Sequence, residues 1–308
     1  MASTTTEQVR STPAPAAPNR RKRHPTRFTP LVPAIILLAL FMLGPIVWSF
    51  YGSFTNSALT GSAALHPEFI GLDNYVKLFS SSVFPKSLLL TLVFVIGSAV
   101  VGQTVLGLLL AILMRGANSI VRGVVGTIVV AAWVLPEIVS AFVGYAYFSG
   151  HGTLNAILSW LHVPTVDWLF SAPMLAVILA NTWRGTAFSM MLYSAALTNV
   201  PTDVLEAATV DGAGEWRKLF SVTLPMIRRT ITTTLMLITL QTLSIFTLIY
   251  VMTAGGPGFD SSTLPILAYQ QAFKFSNLGY GTAIATILLI VGAAFSVIYL
   301  RVLKPKVN

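Results

Sequence analysis

Residues 199–225 read NVPTDVLEAATVDGAGEWRKLFSVTLP. Pro201 suits a first helical turn, where its missing N–H has no partner to lose, and Thr202 or Asp203 can cap that turn. Asp203 and Glu206 place negative charge near the positive end of this short helix. Gly212 and Gly214 stop it, because glycine takes a positive φ at little cost. A second helix follows. Trp216, Leu219, Phe220 and Thr223 fall at i, i+3, i+4 and i+7 and give one mainly apolar face, which Arg217 and Lys218 leave. Leu224-Pro225 is expected to end it. A helix–glycine–helix with an apolar stripe either docks into a partner's groove or lies on lipid headgroups, and the periodicity fits both equally.

The segment is flanked by two apolar runs, 172–197 before it and 226–253 after it. Each is long enough to cross a bilayer, which takes about 20 mostly apolar residues. Four more runs qualify, at about 31–54, 86–114, 121–148 and 282–303. They are continuous rather than alternating, which indicates helices and excludes a barrel. Composition agrees: 55% of the 308 residues are hydrophobic and only 9% are charged. Soluble chains carry roughly 25% charged residues, so two soluble domains are excluded. The expectation is an all-α membrane protein of six transmembrane helices, spanning 30–308 after a tail at 1–29.

The net charge of +9 would suggest nucleic acid in a soluble chain. In a membrane chain it sets orientation. Fifteen cations fall on one side: six in the tail (Arg10, Arg20, Arg21, Lys22, Arg23, Arg27), Arg115 and Arg122 in the next loop, Arg217, Lys218, Arg228 and Arg229 around 199–225, and Arg301, Lys304 and Lys306 at the C-terminus. Only Lys77, Lys86 and Lys274 fall on the other. Both termini are therefore expected in the cytoplasm, and no nucleic acid is expected as partner. The tail, rich in Thr, Ala, Pro and Arg, is expected to be disordered; its basic cluster 20–27 marks the inside or touches anionic lipid. The run 31–54 exceeds a typical signal-peptide core, so a retained helix is expected.

Two ionisable residues sit inside runs, Glu137 after Pro136 and Arg184. Such groups are costly in lipid and face a partner or a wet cavity. Both fall near the midplane, so they can pair, either as a structural ion pair or as part of a solute path. Asn181, Gln103, Gln241 and Thr242 are further polar groups within runs, and Gln103 is expected to hydrogen-bond between helices. Pro33, Gly44, Pro45, Pro136 and Gly185 are read as ordinary kinks. The chain has no cysteine, and its His residues (24, 66, 151, 162) show no HExxH spacing. There is no G-x-x-x-x-G-K-[ST] and no G-x-S-x-G, so neither metal binding nor catalysis is expected.

Glu206-Ala207-Ala208, three residues (the last Asp211), Gly212, nine residues, and Val222-Thr223-Leu224-Pro225 resemble the EAA loop of ABC importer permeases, EAA-x3-G-x9-I-x-LP, with Val222 for the Ile. Phe69-Ile70-Gly71-Leu72-Asp73-Asn74-Tyr75 resembles the F-x-G-L-x-N-Y of carbohydrate permeases. Gly255-Gly256-Pro257-Gly258 resembles the GGPG of the maltose- and glycerol-phosphate-type subunit that pairs with a second, different permease, and Leu278-Gly279-Tyr280-Gly281 resembles its L-G-x-(G/A). The resemblance implies a type I ABC importer permease fold in a prokaryotic cell membrane. It implies four kinds of partner: a homologous permease, two ATPases holding ATP and Mg, an extracytoplasmic binding protein, and the bilayer. It favours docking for the loop, with Glu206, Ala207, Ala208, Asp211, Gly212, Trp216, Leu219, Phe220, Leu224 and Pro225 at the ATPase contact.

Asn181-Thr182-Trp183-Arg184-Gly185 resembles the N-T-W-x-G of the maltose-type permease, whose Asn, x and Gly line the sugar site. By the same resemblance Glu137, Ala141, Ile238 and Thr242 fall on sugar-contacting positions. Glu137 replaces an aromatic residue, Arg184 an apolar one and Ile238 a polar one, so the ligand can differ from maltose. A Glu–Arg couple can hold sugar hydroxyls, an amino sugar or a phosphodiester. Gly152-Thr153-Leu154-Asn155 resembles an element near the docked binding protein, with a plain surface turn as the other reading. A secondary carrier or channel using Glu137 as a relay, and an ABC permease for a non-sugar solute, are the alternatives.

Overall fold

The computed structural model describes residues 31–303; the basic tail and the last lysines lie outside these. Along the chain come α1 (Val32–Gly52), α2 (Asp73–Ser80), α3 (Val83–Gly116), α4 (Ser119–Val134), α5 (Glu137–Phe148) and α6 (Thr153–Trp160). Then follow α7 (Pro173–Thr198), α8 (Thr202–Val210), α9 (Glu215–Leu243), α10 (Thr247–Thr253), α11 (Leu264–Tyr269) and α12 (Leu278–Leu303), with shorter turns between. The only β pairing among the described residues is an isolated bridge between Thr55 and Phe69.

Helices α1, α3 and α12 are each long and apolar enough to cross a membrane. Two more candidates are broken: Ser119–Val134 meets Glu137–Trp160 at 108°, and Glu215–Leu243 meets Thr247–Thr253 at 49°. Length and composition thus give three spans, or five when each bent pair counts as one. The run expected at 172–197, α7, has ample length at 26 residues. It falls short on composition because Asn181, Thr182, Arg184, Thr186 and Ser189 occupy its centre.

The break before Glu137 follows from Pro136, whose ring pushes Leu135 to an extended ψ of 136° and forbids a continuous helix. Glu137 therefore opens a new helix instead of sitting mid-span. The break after Leu243 has no proline or glycine. There the Ser244 hydroxyl turns back to the Leu240 carbonyl at 3.2 Å, the kind of side-chain bond that bends helices.

Helix α7 packs along α3, α4, α5 and α9. Close approach to α3 depends on small residues: a Cβ on Gly102 would overlap the Thr182 side chain, and one on Gly107 would meet Ser189 at 2.5 Å. Phe94, Ala141, Val177, Ala180, Leu248 and Met252 form one buried cluster, and Ala111, Tyr193, Leu197 and Ile227 anchor another beside the 199–225 loop.

The short loop motifs are structural ties. Asn74, nearly buried, donates to the carbonyls of Ser53 and Thr55 at 2.9 and 2.8 Å, and Gly279 leaves room for the same Thr55 carbonyl. Gly255 and Gly258 take φ of +86° and +57°, so the glycines of the GGPG stretch are used for their backbone. Asn155 is buried, donates to the Gly150 and Val166 carbonyls, and accepts from the Trp168 indole at 3.2 Å. It clamps its own loop from inside and is not part of a bare surface turn.

Candidate functional site

The two breaks and the polar centre of α7 line an open cavity of about 570 Å³. Trp133 and Glu137 line it at the first break and Leu240, Gln241, Thr242, Ser244 and Ile245 at the second; Gln103, Asn181, Arg184 and Gly185 complete the wall. Asn181 knits three helices together: its amide donates to Ser98 Oγ at 2.9 Å and Thr242 Oγ1 at 3.5 Å, and its carbonyl accepts from Gln103 at 3.3 Å. Gln103 thus makes the interhelical bond its position suggested. Gly185 packs directly against it: a Cβ there would overlap the Gln103 amide, which would have to swing away.

Glu137 and Arg184 share the cavity but form no ion pair; among the described residues the salt bridges are Lys86–Asp260 and Lys218–Glu215. The pairing expected from equal depth fails because Pro136 places Glu137 in the first turn of α5, which packs on α10. There Glu137 Oε1 accepts the Leu248 backbone N–H at 3.1 Å, one of the donors a helix start leaves free. Arg184 Nε is buried without a hydrogen-bond partner. Ala141 and Ile238, at 0% and 1% exposure, lie in the packed interior and not on the cavity wall. The structure therefore groups Glu137, Asn181, Arg184, Gly185 and Thr242, and adds Trp133, Leu240, Ser244 and Ile245, which the sequence did not single out. Trp133 lies four residues before Glu137, a spacing that would share a face only on an unbroken helix.

The 199–225 loop is the second candidate. Pro201 is the cap residue itself, and neither Thr202 nor Asp203 makes a side-chain cap. Gly212 turns the chain at φ +77°, and the N–H groups of Gly212 and Ala213 close onto Thr209 and Ala208 at 3.0 and 2.9 Å. Gly214, at φ −69°, caps the next helix instead of stopping the first. Lys218 pairs with Glu215 at 2.5 Å and reaches Thr209 at 3.3 Å, tying the two helices across the turn.

Pro225 does not end the second helix, which runs on as α9 to Leu243. A widened π turn at Leu219–Thr223 precedes it, and Thr223 Oγ1 donates to the Lys218 carbonyl at 3.2 Å, adjustments that let a membrane helix absorb a proline. The expected single apolar face is divided. Leu219 and Thr223 turn inward, whereas Trp216 and Phe220 stack at 6.0 Å and 12° and stand 75% and 60% exposed. Glu206, Ala207 and Asp211 are exposed and Ala208 half-buried; Leu224 is half-buried and Pro225 exposed.

Residues 103–308 match the family described as "Binding-protein-dependent transport system inner membrane component". The chain belongs to that family. This permease is 32% identical over 285 residues to the sulfoquinovosyl glycerol transport system permease protein SmoG of Agrobacterium fabrum, covering 90% of this chain and 89% of that one. It is 31% identical over 277 residues to the trehalose/maltose transport system permease protein MalF of Thermococcus litoralis, covering 88% and 91%. Its fold matches a chain in the crystal structure of a bacterial alginate ABC transporter in complex with alginate pentasaccharide-bound periplasmic protein, with a TM-score of 0.76 at 23% identity over 91% and 95% of the two chains. The fold is that of type I ABC importer permeases.

Proposed function

We propose that this permease is one half of a heterodimeric pathway in an ATP-driven, binding-protein-dependent carbohydrate importer of a prokaryotic cell membrane. The observation that carries the reading is the polar cavity at the two helix breaks, joined by an unbroken helix to the exposed 199–225 loop. The relatives named for sulfoquinovosyl glycerol and trehalose/maltose transport support a carbohydrate, and the alginate transporter supports a periplasmic binding protein. The GGPG stretch supports the role of the subunit that pairs with a different permease. The cation asymmetry supports cytoplasmic termini.

The division of labour follows. Two ATPases hold ATP and Mg and receive the Trp216–Phe220 stack. The loop moves with them as they close. Because α9 has no joint at Pro225, that motion reaches Thr242 undivided, over roughly 40 Å of helix at about 1.5 Å per residue. The far end of α9 forms the cavity wall and adjoins the break at Ser244, so the cavity changes shape when the loop is displaced. The outer segments α5 and α10 pack together and are joined by the Glu137–Leu248 bond, so they move as a unit.

Uptake in cells lacking the partner ATPase tests the reading. It should fall to background. Uptake that persists would mean a secondary carrier or channel, and a binding protein that selects an amino acid would mean a non-sugar permease.

A further inference from the structure

The polar groups around the cavity are unevenly used. Asn181, Gln103 and Thr242 are held by one another, and one oxygen of Glu137 is held by Leu248 N–H at 3.1 Å. Arg184 makes no ion pair or hydrogen bond to any described residue, and its Nε is buried. Trp133 and Gln241 also line the space, and neither side chain makes a hydrogen bond to a described residue. What remains free is mostly donors, the Arg184 guanidinium among them.

A guanidinium stays charged in any protein setting. Inside a membrane protein it is costly unless an anion or a wet cavity meets it, and here its Nε alone is buried while the residue as a whole is half-buried. Its planar fork matches two oxygens of one oxyanion. A neutral sugar would offer hydroxyls and leave the charge uncompensated, and an amino sugar would add a second cation beside it. Glu137 shares the cavity but forms no ion pair with Arg184, and one of its oxygens is already held by the Leu248 N–H at the start of α10.

We propose that the cavity takes an acidic carbohydrate, one bearing a carboxylate, sulfonate or phosphodiester oxyanion that Arg184 binds. Gln241 and the second Glu137 oxygen then receive sugar hydroxyls. The assignment rests on the carbohydrate-permease reading above and narrows its substrate class.

The test has two stages. The cognate binding protein is screened by thermal shift against neutral disaccharides, amino sugars, uronides, a sulfonated hexoside and glycerophosphodiesters. The best ligand is then followed into proteoliposomes holding the full complex with wild-type permease, Arg184→Gln or Arg184→Lys, normalised to co-purified ATPase. The expected ligand is one of the oxyanionic sugars. Arg184→Gln should raise KM for its uptake roughly ten- to a hundredfold, the range for a charged hydrogen bond, and Arg184→Lys by less. If Arg184→Gln does not assemble, Arg184→Lys decides: the fork is lost and the charge kept, so KM rises severalfold. An acidic ligand carried with unchanged KM by the variant that assembles overturns the role of Arg184. A neutral or amino sugar as ligand overturns the proposal and leaves the carbohydrate permease standing. A binding protein that takes none of the panel overturns both.

Discussion

At the breaks near Pro136 and Ser244, Asn181, Gln103 and Thr242 hold one another inside the bundle, and Arg184 has no partner among the described residues. On the 199–225 loop, aromatic rings turn outward, and Trp216 and Phe220 stack on each other. One region keeps its chemistry inside the bundle and is sensitive to any change of volume. The other leaves its chemistry at the surface and depends on the direction in which the backbone presents it. Helix α9 belongs to both, so the two kinds of sensitivity are separable by mutation although they share one rigid element.

The largest effect should come from the backbone of the loop. Gly212→Trp places a bulky L-residue at φ +77°, which such residues rarely adopt. Substrate-stimulated ATPase activity of the complex should fall to the basal rate while membrane insertion, followed by fractionation, is retained. Normal stimulation would remove the loop from the coupling path. The double variant Trp216→Ala, Phe220→Ala should come next. Both rings are exposed, so melting of the isolated permease should move little, while ATPase recovered by co-purification drops at least tenfold, as expected of central aromatic anchors.

In the cavity the order reverses, with stability responding first. Gly185→Ala forces its Cβ onto Gln103 and should cost roughly 1–3 kcal/mol, read as a lower melting temperature. The added Gln103→Ala should relieve part of it, and simple additivity would argue against the contact. Glu137→Gln keeps an acceptor oxygen for Leu248 N–H, whereas Glu137→Ala leaves that N–H bare and should cost about 1–3 kcal/mol. A Gln variant as unstable as the Ala variant would show that charge, not the bond, matters there. The smallest effect belongs to Lys86→Ala. Its pair with Asp260 is about half exposed at both ends, so its loss should change melting little and transport not at all.

The loop was largely legible in sequence because its determinants are local. Gly212 lies a fixed number of residues from Glu206, and a turn needs nothing else. Pro225 misled because its consequence depends on the wider turn before it, which spacing does not reveal. The cavity was legible in part. Asn181, Arg184 and Gly185 lie on one unbroken helix, so their common location followed from their order. Glu137 lines the same cavity as Arg184 but bonds to Leu248 instead, since Pro136 swings it toward α10, and the break that frees Leu248 N–H has no proline or glycine to announce it. Ala141 and Ile238 are not on the wall because both are buried in helix packing, which their place along the chain does not reveal. Apolar length alone predicts six membrane runs, and α7 shows the limit of that signal, because its polar centre dilutes the hydropathy that would mark it.

The widened turn at Leu219–Thr223 holds one more residue than a regular helical turn. Each residue advances a helix by about 100° around its axis. Trp216, which precedes the turn, therefore points about 100° away from where uniform winding would aim it relative to Thr242, and Phe220, inside the turn, is displaced with it. That single surplus residue fixes the compass bearing of the loop: it sets the direction from which a push on the rings enters the bundle, while leaving the length of the lever unchanged.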